Sequence, residues 1–289
     1  MTTLTIERGF LDIAEGQIHF RAAGGDPRKA KKRPLVMFHG SPGSSKQLER
    51  LILAMAGSRP VMALDTLGMG DSSPPAREDA YMTYFADAAR RGLDWYGVTG
   101  QVDLLGHHTG ARIATEFAIA SPSRVGRVIL DGMSAAPTEQ AREYAKTLDK
   151  RHLIDQIGTQ FFRAWNDLKD AYLFRPAHKR LAANVRPNGL PPLSLFHDHV
   201  VEVLKSYPTS HTAYRAAVLY DSPARLPLLK MPVLATCARH DSPFAALDEV
   251  ARLVPGATKL VQPQDNAENL ASDEEIRALG RVFGDWLDK

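Results

Sequence analysis

The chain has 289 residues, of which 44% are hydrophobic and 24% charged, a globular composition that argues against disorder or low complexity. Lysine and arginine total 36 against 33 aspartate and glutamate, so the formal charge is only +3 and no nucleic-acid partner is expected. The N-terminus lacks a signal-peptide pattern, no apolar run reaches membrane-spanning length, and the only cysteine, Cys237, lies inside an apolar run. These features predict a cytoplasmic protein without a membrane partner or an internal disulfide.

Strand-like and helix-like patterns alternate along the chain. An edge-strand pattern at 16–24 is followed by apolar runs of strand length at 34–40, 60–65, 101–106, 127–132, 232–238 and 258–262. Amphipathic helix patterns lie at 45–57, 81–97, 111–121, 244–254 and 273–289. The alternation predicts an α/β fold with a mostly parallel sheet flanked by helices.

One long stretch interrupts this alternation. Residues 136–226 have helical patterns and Pro-rich punctuation but no convincing strand. We therefore expect a core built from 1–135 and 227–289, with 136–226 as a helical cap. An insertion at the carboxyl edge of a parallel sheet lies over the crevice where such sheets bind ligands.

The stretch LLGHHTGARI at 104–113 carries the strongest local signal. Gly106 and Gly110 stand four apart, between an apolar strand and an amphipathic helix, as in the GxSxG turn that presents a nucleophile. The glycines of that turn are needed because side chains there would clash. Here His108 occupies the place that serine normally holds, and the function depends on what this histidine does.

The strand-to-helix turn around His108, here called the elbow, is accompanied by three further motifs in the same order as in the α/β-hydrolase superfamily. FHGSPGSS at 38–45 resembles its oxyanion loop, ALDTLGMGDSSPP at 63–75 its DxxGxGxS segment, and HDSP at 240–243 its acid-bearing turn. The resemblance covers essentially the whole chain and implies an α/β-hydrolase fold, mostly parallel, with a helical cap.

The resemblance also implies roles for single residues. His108 takes the nucleophile position, Asp241 that of the acid, and Asn266 lies nearest the place of the catalytic histidine, since no histidine follows His240. The backbone N–H groups of Ser41 and Thr109 become the oxyanion-hole donors. An atypical His-Asp-Asn set thus stands where the superfamily has Ser-Asp-His.

His108 is interpreted as a general base, because a free imidazole titrates near pH 6.5 and Asp241 or Asn266 can orient it. A base facing an oxyanion hole suits water-mediated hydrolysis of a small carbonyl substrate. It equally suits proton removal next to a carbonyl, as in lyase, decarboxylase, isomerase or cofactor-free oxygenation chemistry. Covalent acyl- or phospho-histidine chemistry is a further alternative, as is a non-catalytic homologue that only binds ligands. No cofactor is implied by any of these alternatives.

Several other residues are candidates for the site. His39, Trp165 and His211 are candidate substrate-binding residues. Hydrogen bonding within its loop is the commoner role for a histidine placed like His39, and packing in the core of the cap is the commoner role for Trp165. His107 is expected to point toward the sheet or a neighbouring strand.

Two further arrangements are alternatives. Asp131, which ends the strand RVILDG, is an alternative acid to Asp241. His197 and His199 have a metal-like spacing, but a solvated or cap-packing role is favoured over a zinc site, and no metal is expected.

Overall fold

The computed structural model describes residues 4–135, 139–148, 154–175, 177, 179–187, 189–267 and 269–289. Eight strands in this part of the chain form one sheet: β1 (Glu7–Ile13), β2 (Gly16–Ala23), β3 (Leu35–Phe38), β4 (Val61–Leu64), β5 (Val102–His107), β6 (Val125–Asp131), β7 (Val233–Cys237) and β8 (Thr258–Val261). They lie in the order β1-β2-β4-β3-β5-β6-β7-β8. β2 pairs antiparallel with β1 and β4, and every other pairing is parallel. The predicted mostly parallel α/β fold is confirmed.

Ten α-helices connect or follow the strands: α1 (Glu49–Met55), α2 (Met82–Trp95), α3 (Thr109–Ala120), α4 (Glu139–Thr147), α5 (Thr159–Leu173), α6 (Leu193–Lys205), α7 (Ser210–Val218), α8 (Ser222–Arg225), α9 (Leu247–Leu253) and α10 (Asp273–Leu287), counted over the described ranges. The start of α10 shows how local sequence sets such an element. The Ser272 hydroxyl accepts a hydrogen bond from the N–H of Glu275, whose carboxylate accepts one from the Ser272 N–H.

Helices cover both faces of the sheet, so the central strands are buried on both sides. On β3, Leu35 and Met37 belong to an apolar cluster with residues of α1 and α10, whereas Val36 and Phe38 belong to a second cluster with residues of α2 and α3. This two-sided burial explains why the central strands read as continuous apolar runs.

The regular elements described between β6 and β7 are helices. This part of the chain carries α4 to α8, and its extended pairing in the described residues is one isolated antiparallel bridge between Phe174 and Val185. Ala136, the predicted start of the insertion, lies outside the described residues. None of the helices in the described ranges has the length and apolar character to cross a bilayer.

The seven predicted strands and the five predicted core helices are all present, with small shifts at their ends. β1 was not predicted. It forms a hairpin with β2, with Phe10 opposite His19 and Ile13 opposite Gly16. Most of β1 faces solvent, so its sequence ERGFLDI lacks the apolar run of the buried strands.

Candidate active site

The candidate site lies at the point where the strand order of the sheet reverses. β3 is flanked by β4 on one side and by β5 on the other, so the connections leaving β3 and β5 diverge and open a crevice at their carboxyl ends. His108 follows β5 directly, and Ser41 lies three residues after β3. The fold therefore brings the predicted base and the predicted oxyanion loop to the same edge.

His108 sits on a sharp turn from β5 into α3. Its backbone has φ 48° and ψ −109°, and it is the one non-glycine residue with positive φ in the described part of the chain. The flanking glycines make the turn possible: a Cβ on Gly106 would lie 2.2 Å from the carbonyl oxygen of Gly110, and one on Gly110 would lie 2.1 Å from that of Phe38. The predicted elbow is thus present, with a histidine in the conformation that such turns impose on their central residue.

His108 and Asp241 form a hydrogen-bonded pair. His108 Nε2 lies 2.6 Å from Asp241 Oδ2, and the other carboxylate oxygen accepts a bond of 2.7 Å from the N–H of Ser242. Burial alone would raise the pKa of Asp241, but the charge of His108 and its hydrogen bond lower it far below the usual range. An ionised carboxylate only accepts hydrogen bonds, so Nε2 carries the proton and Nδ1 is the basic nitrogen of the neutral ring.

The loop after β3 passes close to this pair. A Cβ on Gly40 would lie 3.1 Å from His107 Cδ2 and 3.4 Å from His108 Cβ, which places the backbone entering Ser41 against the His107 ring and the base of the His108 side chain. Thr109 begins α3, and N–H groups in the first turn of a helix have no acceptor within that helix. The arrangement is compatible with the predicted oxyanion donors.

A family model described as alpha/beta hydrolase fold matches residues 33–270. The chain belongs to the α/β-hydrolase family. It is 32% identical to a proline iminopeptidase of Heyndrickxia coagulans, over 97% of this chain and 98% of that protein. It is 34% identical to 2-hydroxy-6-oxononadienedioate/2-hydroxy-6-oxononatrienedioate hydrolase 2 of Pseudomonas putida, over 98% of this chain and 94% of that protein. An epoxide hydrolase structure from an endophytic Streptomyces shares the fold, with a TM-score of 0.73 and 19% identity over 100% of this chain and 96% of that one.

A second histidine–carboxylate pair supports the first in this α/β-hydrolase. His107 Nδ1 lies 2.9 Å from Asp131 Oδ2 at the end of the neighbouring strand β6, and the Gln262 amide donates to Asp131 Oδ1. The rings of His107 and His108 stack with centroids 3.9 Å apart and planes 18° from parallel. The expectation that His107 points to a neighbouring strand is confirmed, and Asp131 holds His107 while Asp241 holds His108.

Gly132 lies against the hydrogen-bonded pair of His108 and Asp241, the His108–Asp241 dyad. It has φ +62°, and a Cβ there would lie 2.3 Å from His108 Cδ2, 2.7 Å from His108 Nε2 and 3.0 Å from Asp241 Oδ2. Only glycine leaves room for the imidazole at this point.

His39 and Asn266 make protein contacts that clarify their positions. His39 is fully buried, with Nδ1 2.7 Å from the carbonyl oxygen of Gly40 and Nε2 accepting from the N–H of Thr66 at 3.0 Å. Both nitrogens are therefore used within the protein, which corrects the substrate-binding assignment of His39 in favour of loop support. The Asn266 amide oxygen lies 3.2 Å from Nδ1 of His240, the residue before Asp241.

Trp165 and His211 lie in the helical insertion. Trp165 on α5 is 43% exposed and packs edge-on against Phe196 of α6, with ring centroids 4.8 Å apart. His211 is buried on α7, which packs against α3, the helix that starts at the elbow.

His199 joins α6 to the loop after β3. Its Nε2 donates to the carbonyl oxygen of Pro42 at 2.9 Å, so its Nδ1 accepts from the Tyr172 hydroxyl at 2.9 Å. Burial lowers the pKa of His199, which keeps the ring neutral, as this pattern requires. His197, two residues earlier on α6, is exposed, and residues i and i+2 of a helix do not face each other.

Proposed function

We propose that this α/β-hydrolase acts on a small carbonyl-containing substrate with His108 as its general base, in place of a serine nucleophile. The observation that carries the proposal is the 2.6 Å hydrogen bond between His108 Nε2 and Asp241 at the elbow. It orients the imidazole, fixes its tautomer and supplies the negative charge that stabilises the imidazolium.

In the hydrolytic form of the reaction, His108 Nδ1 takes a proton from water as the oxygen attacks the carbonyl carbon. The oxyanion that forms is held by the N–H groups of Ser41 and Thr109. When the tetrahedral intermediate collapses, the bond to the leaving group breaks, and the leaving group takes the proton back from His108. The enzyme returns to its starting state without a covalent intermediate.

A second candidate reaction uses the same groups without water. His108 Nδ1 removes a proton from the carbon next to the carbonyl, and Ser41 and Thr109 stabilise the enolate. The identity of residue 108 favours keeping this candidate, because the elbow carries a base and no hydroxyl nucleophile. The two reactions are separated by their products.

The remaining predicted site residues have supporting roles in this proposal. Asn266 supports the base indirectly, through its contact with His240 beside Asp241. Trp165 and His211 line the substrate side, on the proposed cap formed by 136–226.

The test is turnover of ester, lactone and β-keto acid panels by the parent chain and by His108→Ala. A general base contributes about 10²- to 10⁴-fold to rate, so kcat should fall by that factor while binding stays within about tenfold. His197→Ala, the same substitution at an exposed histidine of α6, is the matched control and should leave turnover unchanged. Undiminished turnover by His108→Ala overturns the proposal. Binding without turnover in the parent chain would instead favour the non-catalytic alternative.

A further inference from the structure

Arg112 is a buried cation at the N-terminal end of α3 without an acidic partner in the described residues. Its side chain is 7% exposed and bends back toward the elbow, where Nη1 donates to the carbonyl oxygen of His108 at 2.8 Å and Nη2 donates to Ser134 Oγ. Its Nε has no hydrogen-bond partner within the described chain. Glu116, one turn further along α3, accepts hydrogen bonds from Arg225 and Tyr220.

The missing counterion at Arg112 is physically unusual. Burial lowers the pKa of Arg112 to about 10, which still leaves it charged at neutral pH. A buried charge is costly unless it is paired. The first-turn N–H groups of α3, a helix of 12 residues, add positive potential at the same end.

Arg186, between β6 and β7, supplies a second guanidinium near the His108–Asp241 pair. Its Nη1 donates to the carbonyl oxygen of Ala171 at 2.8 Å, and its Nη2 to that of His240, next to Asp241, at 3.3 Å. Burial lowers the pKa of Arg186, and the nearby charge of Asp241 opposes that shift. In the described ranges no carboxylate lies within ion-pair distance of Arg186, whereas Arg180 of the same insertion pairs with Asp170.

The carboxylates of the site are already engaged and do not satisfy these cations. Asp241 is bonded to His108 and to the N–H of Ser242, and Asp131 to His107 and Gln262. A guanidinium has five N–H donors in a planar fork that matches a carboxylate, and charge-assisted bonds of this kind are stronger than the carbonyl contacts seen here.

We propose that the substrate carries a carboxylate in addition to its reacting carbonyl group, and that Arg186 binds this carboxylate beside the His108–Asp241 pair, with Arg112 adding positive charge at the elbow. The inference rests on the proposed function, because it assigns a substrate class to the same site. It makes Arg186 a specificity-determining residue whose effect appears in binding.

The test measures binding by calorimetry or ligand-observed NMR, without turnover. The probes are 4-oxopentanoate, 5-oxohexanoate and 6-oxoheptanoate, each compared with the ketone in which a methyl group replaces the carboxylate: 2-pentanone, 2-hexanone and 2-heptanone. At least one acid should bind the parent chain about tenfold or more tightly than its ketone, as expected for a charge-assisted contact. Arg186→Gln should abolish that preference.

Arg180→Gln is the matched control, since it removes the same charge from the same insertion at a residue paired with Asp170. It should keep the preference for the acid. Arg112→Gln should also bind the acids less tightly than the parent chain does. Its thermal unfolding is measured alongside, and if Arg112→Gln does not fold, Arg186→Gln alone decides the test. Equal binding of acids and ketones, no binding of any acid at tens of millimolar, or a preference that survives Arg186→Gln overturns the proposal. Because no turnover is needed, these outcomes are independent of whether His108→Ala loses activity.

Discussion

Replacing Gly132 with alanine tests whether the position of the His108 ring controls the reaction. The added Cβ would lie 2.3 Å from His108 Cδ2, whereas ordinary contacts begin at 3.4 Å, so the ring must move by about 1 Å. Such a movement breaks a hydrogen bond of 2.6 Å to Asp241. Misplacement of a catalytic group by about 1 Å can cost on the order of 10² in rate, and we expect kcat/KM to fall by about that factor.

Gly256→Ala separates this effect from backbone strain. Gly256 has φ +70°, close to the +62° of Gly132, but a Cβ there meets nothing within 4 Å. Both variants should lose about 1–3 kcal/mol of unfolding free energy, because alanine is strained at positive φ, but only Gly132→Ala should lose activity. The assay is kcat/KM on the best panel substrate, together with the low-field N–H proton signal of His108, which should shift or vanish in Gly132→Ala. If the two variants have equal activity, the ring position does not limit the reaction and the reasoning fails.

Two further predictions concern the absence of a serine at the elbow and the loop after β3. A serine-directed fluorophosphonate should not label the protein, because the elbow carries His108; stoichiometric mass addition in intact-protein mass spectrometry would show an activated serine. Tyr172→Phe removes the hydroxyl that bonds to His199 Nδ1, so it should cost about 1 kcal/mol of unfolding free energy and lower kcat a few-fold by loosening the loop at Pro42. Tyr81→Phe, at a residue 71% exposed, is its control, and the idea is wrong if the two variants match in denaturant midpoint and kcat.

The sequence predicts the fold and the centre of the site because both are encoded locally. Buried runs with strand length and amphipathic helices each carry their own period, and the elbow is held by two glycines within five residues. Asp241 was found because it follows a strand in a turn of recognisable sequence. The structure brings it to His108, 133 residues away in sequence.

What the sequence could not predict depends on contacts between distant segments. His107 meets Asp131 because β5 and β6 pair in a register that sets these two residues side by side. That register is not readable from either strand alone. β1 is stabilised by pairing with β2 at the edge of the sheet, so it needs no buried apolar face.

Irregular segments were the least predictable parts of the site. The loop after β8 has no period, and its position is set by contacts such as that between the His240 N–H and the Asp265 carbonyl oxygen, at 2.7 Å. Arg186 lies in a segment without repetitive structure, and nothing in its neighbouring residues indicates that it lies beside Asp241. The lack of an acidic partner for Arg112 likewise becomes visible only when the surrounding side chains are in place.

The most direct test of the account is the pH dependence of kcat/KM, measured for the parent chain and for Asp241→Asn. Only neutral imidazole accepts a proton, so activity should be low in acid, rise over the pH range in which His108 loses its proton, and then stay level. Asp241 keeps its charge throughout, since its pKa lies far below this range. Asp241→Asn removes the charge that stabilises the imidazolium, so it should lower the plateau and move the midpoint to lower pH. A profile that is flat or highest in acid, or a midpoint that Asp241→Asn leaves in place, would contradict a base formed by His108 and Asp241.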